Sequence, residues 1–194
     1  AITASFFQQS SFASHSITAA RNVVPVKSDV SSTILAPLGC GIMTGAGTVL
    51  NTFDLGAKDS LVVFGTGAVG LSAVMAAKLS GAKAIVAVDI NESRLDLALE
   101  LGATHVVNAK SDDVHEQILA ACGGGAQYSF ETSGVDSALE EAINCLAMEG
   151  VCGMVTVPHY GEKFPFTPFG VFVKAATLRG IFFGSSVPRV FLPK

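Results

Sequence analysis

Residues 60–81 read SLVVFGTGAVGLSAVMAAKLSG, and the reading of this stretch decides the fold. An apolar run from Leu61 to Phe64 leads into Gly65-Thr66-Gly67-Ala68-Val69-Gly70. That turn opens a helical pattern from Ala68 to Ser80, which Gly81 closes. Strand, tight turn and helix in this order fit a dinucleotide site, where each glycine has its own task. Gly65 allows the turn, Gly67 lets backbone approach a pyrophosphate, and Gly70 lets helix and strand pack closely. The helix N-terminus adds unpaired N–H groups and a positive dipole end.

The flanking residues strengthen this reading. A second apolar strand, Ala84 to Val88, ends in Asp89, which lies 19 residues beyond Gly70 and 24 beyond Gly65. An acid there can accept hydrogen bonds from an adenosine ribose. A phosphate-binding loop of the triphosphatase type needs Lys after Gly70, where the chain has Leu71. A methyltransferase turn would place glycine where Val69 stands. Neither tyrosine supports a short-chain dehydrogenase, because Thr132 and Phe164, not Lys, follow Tyr128 and Tyr160 by four residues.

Composition sets the outer bounds. With 194 residues, 49% apolar and 14% charged, the chain suits one well-buried domain plus a piece of another. A net charge of −4 without a basic cluster argues against a nucleic-acid partner. No apolar run approaches the ~18 residues of a membrane span, so no membrane partner is expected. The high apolar content fits instead a parallel sheet covered on both faces. Cys40, Cys122, Cys145 and Cys152 form no C-x-x-C pair, and three of them sit in apolar surroundings. They read as free thiols, and with no signal-peptide pattern a cytoplasmic location is expected. The start, without Met and in what reads as mid-fold, points to a fragment.

Residues 1–38 are rich in Ser and Thr, with short β-like pieces near Ala13–Ala19 and Val23–Val26 and interruptions at Pro25 and Pro37. They read as a stub of a second, β-rich domain, and residues 39–194 as the nucleotide-binding domain. Gly39 to Phe53 reads as a helix entering that domain. Strands are then expected at 61–64, 84–88, 105–107, 127–130, 151–157 and 177–183, with helices at 68–80, 92–101 and 112–121. Asn91 is the expected N-cap of the second of these helices, and Ser137 with Glu140 forms a capping box for a fourth, ending near Gly150. A proline-punctuated loop, 158–168, and a short helical piece precede the last strand. The whole is an α/β Rossmann fold, a doubly wound six-stranded parallel sheet in the order 3-2-1-4-5-6. Its ligand crevice lies at the C-terminal ends of strands one and four, beside ETSGV (Glu131–Val135) and VTVPHYG (Val155–Gly161). His15, His105, His115 and His159 show no metal spacing and read as surface or loop residues.

The segments GCGIMTGAGTVLN, VVFGTGAVGLSAVMAAKLSGA, VAVDINESRLDLALELGATHVVN, FETSG and VTVP together resemble the coenzyme-binding domain of zinc-dependent, medium-chain alcohol dehydrogenases. PLGCGIMTGAG with GSSVPR is most similar to the aryl-alcohol branch. The resemblance implies an enzyme that oxidises a primary aromatic alcohol to an aldehyde with NAD. It implies that Cys40 is one ligand of a catalytic zinc and that the Thr44 hydroxyl lies near the nicotinamide. Val69 would pack behind that ring. Asp89, Ile90 and Arg94 would bind the adenosine end, and Gly65, Thr66, Gly67, Ala68 and Gly70 would form the turn at the diphosphate. Thr132 would line the pocket, while backbone near Val155, Val157, Ile181 and Phe183 would hold the nicotinamide.

The family's other zinc ligands, a Cys and the His of a Gly-His-Glu motif, have no counterpart in these residues. The chain alone is therefore expected to hold no stoichiometric zinc and to turn over no alcohol, the zinc belonging to the parent enzyme. Asp89 predicts NAD over NADP. A homodimer through the edge strand 177–183 is also expected. Two competing readings are a zinc-free quinone or enoyl reductase, disfavoured by Cys40 and Asp89, and a non-catalytic nucleotide-binding module.

Overall fold

Six parallel strands form one sheet in the order β3-β2-β1-β4-β5-β6. They are β1 (Ser60–Phe64), β2 (Ala84–Asp89), β3 (His105–Asn108), β4 (Ala126–Glu131), β5 (Leu146–Met154) and β6 (Thr177–Gly180). The computed structural model describes residues 13–26, 29–156 and 168–193. Among the described residues the α-helices are α1 (Ser32–Leu35), α2 (Gly41–Gly47), α3 (Ala68–Leu79), α4 (Glu92–Leu101), α5 (Val114–Cys122), α6 (Asp136–Asn144), α7 (Pro168–Val173) and α8 (Pro188–Phe191). A π-helical turn, Thr48–Thr52, continues α2. Among the described residues no single helix is long and apolar enough to cross a membrane.

The period-two geometry of a strand explains the double core. In β1, Leu61 and Val63 point to one face, where they join Phe53, Ala73, Ala77 and Phe130 beneath α2, α3 and α4. Val62 and Phe64 point to the other, with Ile118, Leu139 and Ile143 beneath α5 and α6. Every residue of β1 is buried, as a central parallel strand requires. Phe53 anchors the first layer, 5.0 Å from the Tyr128 ring and edge-on to Phe130 at 5.9 Å. Each such side chain, once buried, contributes about 2 kcal/mol.

Several boundaries differ from expectation. Residues 13–26 form no strand, because extended backbone at Ala19 and Val23 finds no ladder partner and flanks a 3-10 turn, Ala20–Asn22. The guanidinium of Arg189 on α8 donates to the carbonyls of Ala20 and Val23 and holds this turn. The capping box does not form, since α6 starts at Asp136 with Val135 at its N-cap and no side-chain cap. That helix also ends at Asn144, not near Gly150. Lys174 Nζ donates to the carbonyls of Asn144 and Leu146, satisfying helix-end acceptors that a longer helix would have used. Leu146 is thereby free to enter the core, and β5 starts there. Its ladder with β4 shifts between Ala126↔Leu146 and Tyr128↔Val151, around a left-handed Glu149 with φ of +61°.

The last strand is shorter than expected and stops at Gly180. Beyond it the chain turns onto α2 through Phe183, Gly184 and Ser185, all with positive φ. A Cβ at Gly184 would sit 2.6 Å from the Met43 carbonyl oxygen, so only glycine fits that approach. Asn51 Nδ2 fixes the turn by donating to the Gly184 carbonyl at 3.1 Å and to Ser186 Oγ at 2.9 Å. Val157 and most of the loop expected at 158–168 lie outside the described residues.

Candidate functional site

The C-terminal ends of β1, β2 and β4 meet at the point where strand order reverses. There Gly65 turns with φ of +89°, and a Cβ at Gly70 would lie 1.9 Å from the Gly65 carbonyl oxygen. Helix and turn thus touch backbone to backbone, a contact only glycine permits. Gly67 is the N-cap of α3 without a side-chain cap, so the N–H groups of the first turn, at Ala68, Val69 and Gly70, keep their donors for a ligand. No atom lies within 4 Å of a Cβ built on Gly67, which leaves the helix end open to a diphosphate.

Asp89 closes β2 beside this turn. Its Oδ2 accepts both the N–H and the hydroxyl of Thr66, each at 2.7 Å, and its Oδ1 accepts the Asn91 N–H at 3.0 Å. Burial pushes the carboxyl up, but the hydrogen bonds from Thr66, Asn91 and Ile90 outweigh it and hold the pKa below the ordinary carboxylate value. The acid is therefore fixed, ionised and joined to the turn. Asp89, Gly65, Ile90, Arg94 and Ser133 line one cavity of about 470 Å³. At its rim, His115 Nδ1 on α5 lies 2.7 Å from Glu141 Oε1 on α6.

A second cavity, of about 560 Å³, is lined by Cys40, Met43, Phe182, Phe183 and Ser186. Cys40 is exposed at the start of α2, and Thr44 is buried one turn on. Val69 is half-buried in the first turn of α3, the element in closest contact with α2. The expected site residues Thr132, Ile181 and Val155 line neither cavity. The Thr132 hydroxyl shares its proton between the carbonyls of Phe64 and Gly65, at 2.9 Å each, and ties β4 to the glycine turn. Ile181 sits in the core and donates its N–H to Met154 at 2.8 Å, while Val155 is half-buried just past β5.

Sequence reasoning set the stretches Glu131–Val135 and Val155–Gly161 beside the crevice but gave no separate role to Glu131, Ser133 and Thr156, which form a hydrogen-bonded cluster at or just past the ends of β4 and β5. The signal was present in FETSG, a charge ending an apolar strand. Its complete burial is a property of packing alone.

Comparison with known proteins gives a consistent answer. A family model described as zinc-binding dehydrogenase matches residues 68–192. A geraniol dehydrogenase of Castellaniella defragrans is 41% identical over 190 residues, covering 97% of this chain and 51% of that protein. The crystal structure of benzyl alcohol dehydrogenase from Acinetobacter calcoaceticus superposes with a TM-score of 0.91 at 41% identity, over 97% of this chain and 52% of that one. An alcohol dehydrogenase zinc-binding domain protein from Burkholderia ambifaria gives 0.90 at 46% identity, over 97% and 51%. The chain spans about half the length of the relatives it matches.

Proposed function

The chain belongs to the zinc-binding dehydrogenase family, and from that premise we propose that it is the NAD-binding part of an enzyme oxidising primary alcohols to aldehydes. The observation that carries this reading is that Asp89, which lines one cavity with Gly65, Ile90 and Arg94, is hydrogen-bonded to Thr66 in the turn that leads to the open end of α3. In this reading Asp89 Oδ1 meets a ribose hydroxyl, since Oδ2 is engaged by Thr66. The first turn of α3 holds the diphosphate, and Arg94 flanks the adenosine. When bound, NAD supplies the acceptor for a hydride leaving the alcohol carbon. Val69, Val155, Ile181 and Phe183 would enclose the nicotinamide side, and Thr44 would place its hydroxyl towards it.

The substrate reading is an activated primary alcohol of the aryl type. It draws support from relatives named for geraniol and benzyl alcohol, both primary alcohols with an sp² carbon next to the carbinol carbon. Phe182 and Phe183 would supply aromatic walls beside Cys40. For the zinc of this family, Cys40 is the ligand proposed from this chain. Among the described residues no three His, Cys, Asp or Glu side chains converge, whereas a catalytic zinc takes three protein ligands. The remaining ligands would come from elsewhere in a parent enzyme, with residues 1–38 as part of its catalytic domain. The four free thiols support a reducing, cytoplasmic setting.

Calorimetric titration of the chain with NAD and NADP tests the reading. NAD is expected to bind and NADP to bind at least tenfold more weakly. Asp89→Asn, which keeps the shape and removes the charge, should lower the preference by about tenfold. Equal binding of both coenzymes by the native chain would refute the role given to Asp89.

A further inference from the structure

The cavity beside Asp89 has a second acid in its wall. Glu141 lines it from α6, together with Ser137 and Ala138, which precede it by one helical turn and share its face. Glu141 Oε1 lies 2.7 Å from His115 Nδ1 of α5, and because a carboxylate only accepts, the imidazole is the donor. The carboxylate is thereby pinned between two helices, and among the described residues no hydrogen bond engages its Oε2. Arg94 enters the same cavity from α4, which covers the opposite face of the sheet from α6. Between them the lining is apolar, with Val88, Ala109, Val114, Val135 and Ala138.

The NAD reading given above sets the adenosine ribose at Asp89, and the base it carries then enters the apolar part of this cavity. Apolar side chains grip the faces of a planar base, and polar groups read its edge. The Ser133 hydroxyl is spent on Glu131, at 2.6 Å, so on this side of the cavity Ser137 and Glu141 are left to meet that edge. A hydroxyl both donates and accepts, and Ser137 therefore serves any base alike. A carboxylate discriminates, because it has acceptors and no donor. We propose that Glu141 is the base-specificity residue of the coenzyme site, accepting the exocyclic amino group of adenine and opposing a base with a carbonyl oxygen in its place. The inference rests on the NAD reading and deepens it. It gives the His115–Glu141 pair the task of aiming that acceptor into the cavity.

The test is calorimetric titration of the full chain with NAD and with nicotinamide hypoxanthine dinucleotide, in which a carbonyl oxygen replaces the amino group of adenine. The native chain should bind NAD about tenfold more tightly, since the analogue loses a hydrogen bond and leaves one acceptor facing another. Glu141→Gln keeps the size of the side chain and turns either an oxygen or an N–H to the base, so the preference should shrink to within about threefold. Glu141→Ala, a substitution that favours the helix, removes the acceptor altogether and should bring the two affinities equally close; it decides the matter if the first variant does not fold. A native chain that binds both dinucleotides alike, or a folded variant that keeps the native preference, would overturn the role of Glu141. Binding of neither dinucleotide by the native chain would instead overturn the NAD reading, and this inference with it.

Discussion

At the residue scale, the glycine turn after β1 and the acid at the end of β2 were legible as structure, because each answers to a local rule of spacing. Glu131 was not, since a charge in the sequence carries no mark of whether packing will cover it. The cysteines show the converse case, where apolar neighbours pointed to free thiols and Cys145 and Cys152 are buried ones. Burial pushes Cys152 up from 9.0 to about 11, and raises Cys145 well above its ordinary value. A folded-state pKa above the unfolded one adds stability that is fully present below pH 9 and is lost as pH rises through 11. By then the native state has given up about 3 kcal/mol on account of Cys152 alone. Cys152→Ala should therefore start less stable at pH 8, through its cavity, and lose less between pH 9 and 11 than the native chain. Thermal melts of both proteins across that range check the slope, and parallel curves would show that Cys152 does not drive the alkaline loss.

At the element scale, the βαβ unit from β1 to β2 was fully legible because its glycines serve backbone geometry, which sequence states directly. The α6–β5 junction was misread for a physical reason. Leu146, Ala147 and Met148 are good helix formers, and propensity there gave way to Lys174 at the helix end and to burial of Leu146. The glycine turn permits a sharp separation of folding from binding. Gly70→Ala drives a methyl into the Gly65 carbonyl, with 1.9 Å between them, and should cost about 2–4 kcal/mol in stability. Gly67→Ala meets no atom within 4 Å, at an unstrained φ of −75°, and should leave stability within about 1 kcal/mol of native. Its methyl occupies the approach to the helix end, so NAD affinity should fall at least about tenfold. Denaturant melts paired with coenzyme titration separate the two effects. Native-like NAD binding by Gly67→Ala would place the diphosphate elsewhere.

At the scale of the whole molecule, strand order followed from the alternation of elements, while strand length at the sheet edge did not. The turn onto α2 that ends β6 depends on Gly184 meeting Met43, far away in sequence. The shorter edge sharpens the expectation of a homodimer. Among the described residues β6 pairs only with β5, and its other side is a template for a second copy. Ile181 donates its N–H towards β5, so by the alternation of a strand the N–H of Gly180 faces the open edge. Phe182, 71% exposed, lies just beyond the pairing residues and adds apolar surface. Two such edges can pair antiparallel about a two-fold axis, closing both at once. Gly180→Pro removes the outward donor without touching the ladder to β5, a position where an edge strand tolerates proline. Light scattering at tens of micromolar protein should give a dimer mass for the native chain and a monomer for Gly180→Pro, with unchanged melting of each fold. A native chain that is strictly monomeric, or a dimer indifferent to this proline, would move the interface away from β6.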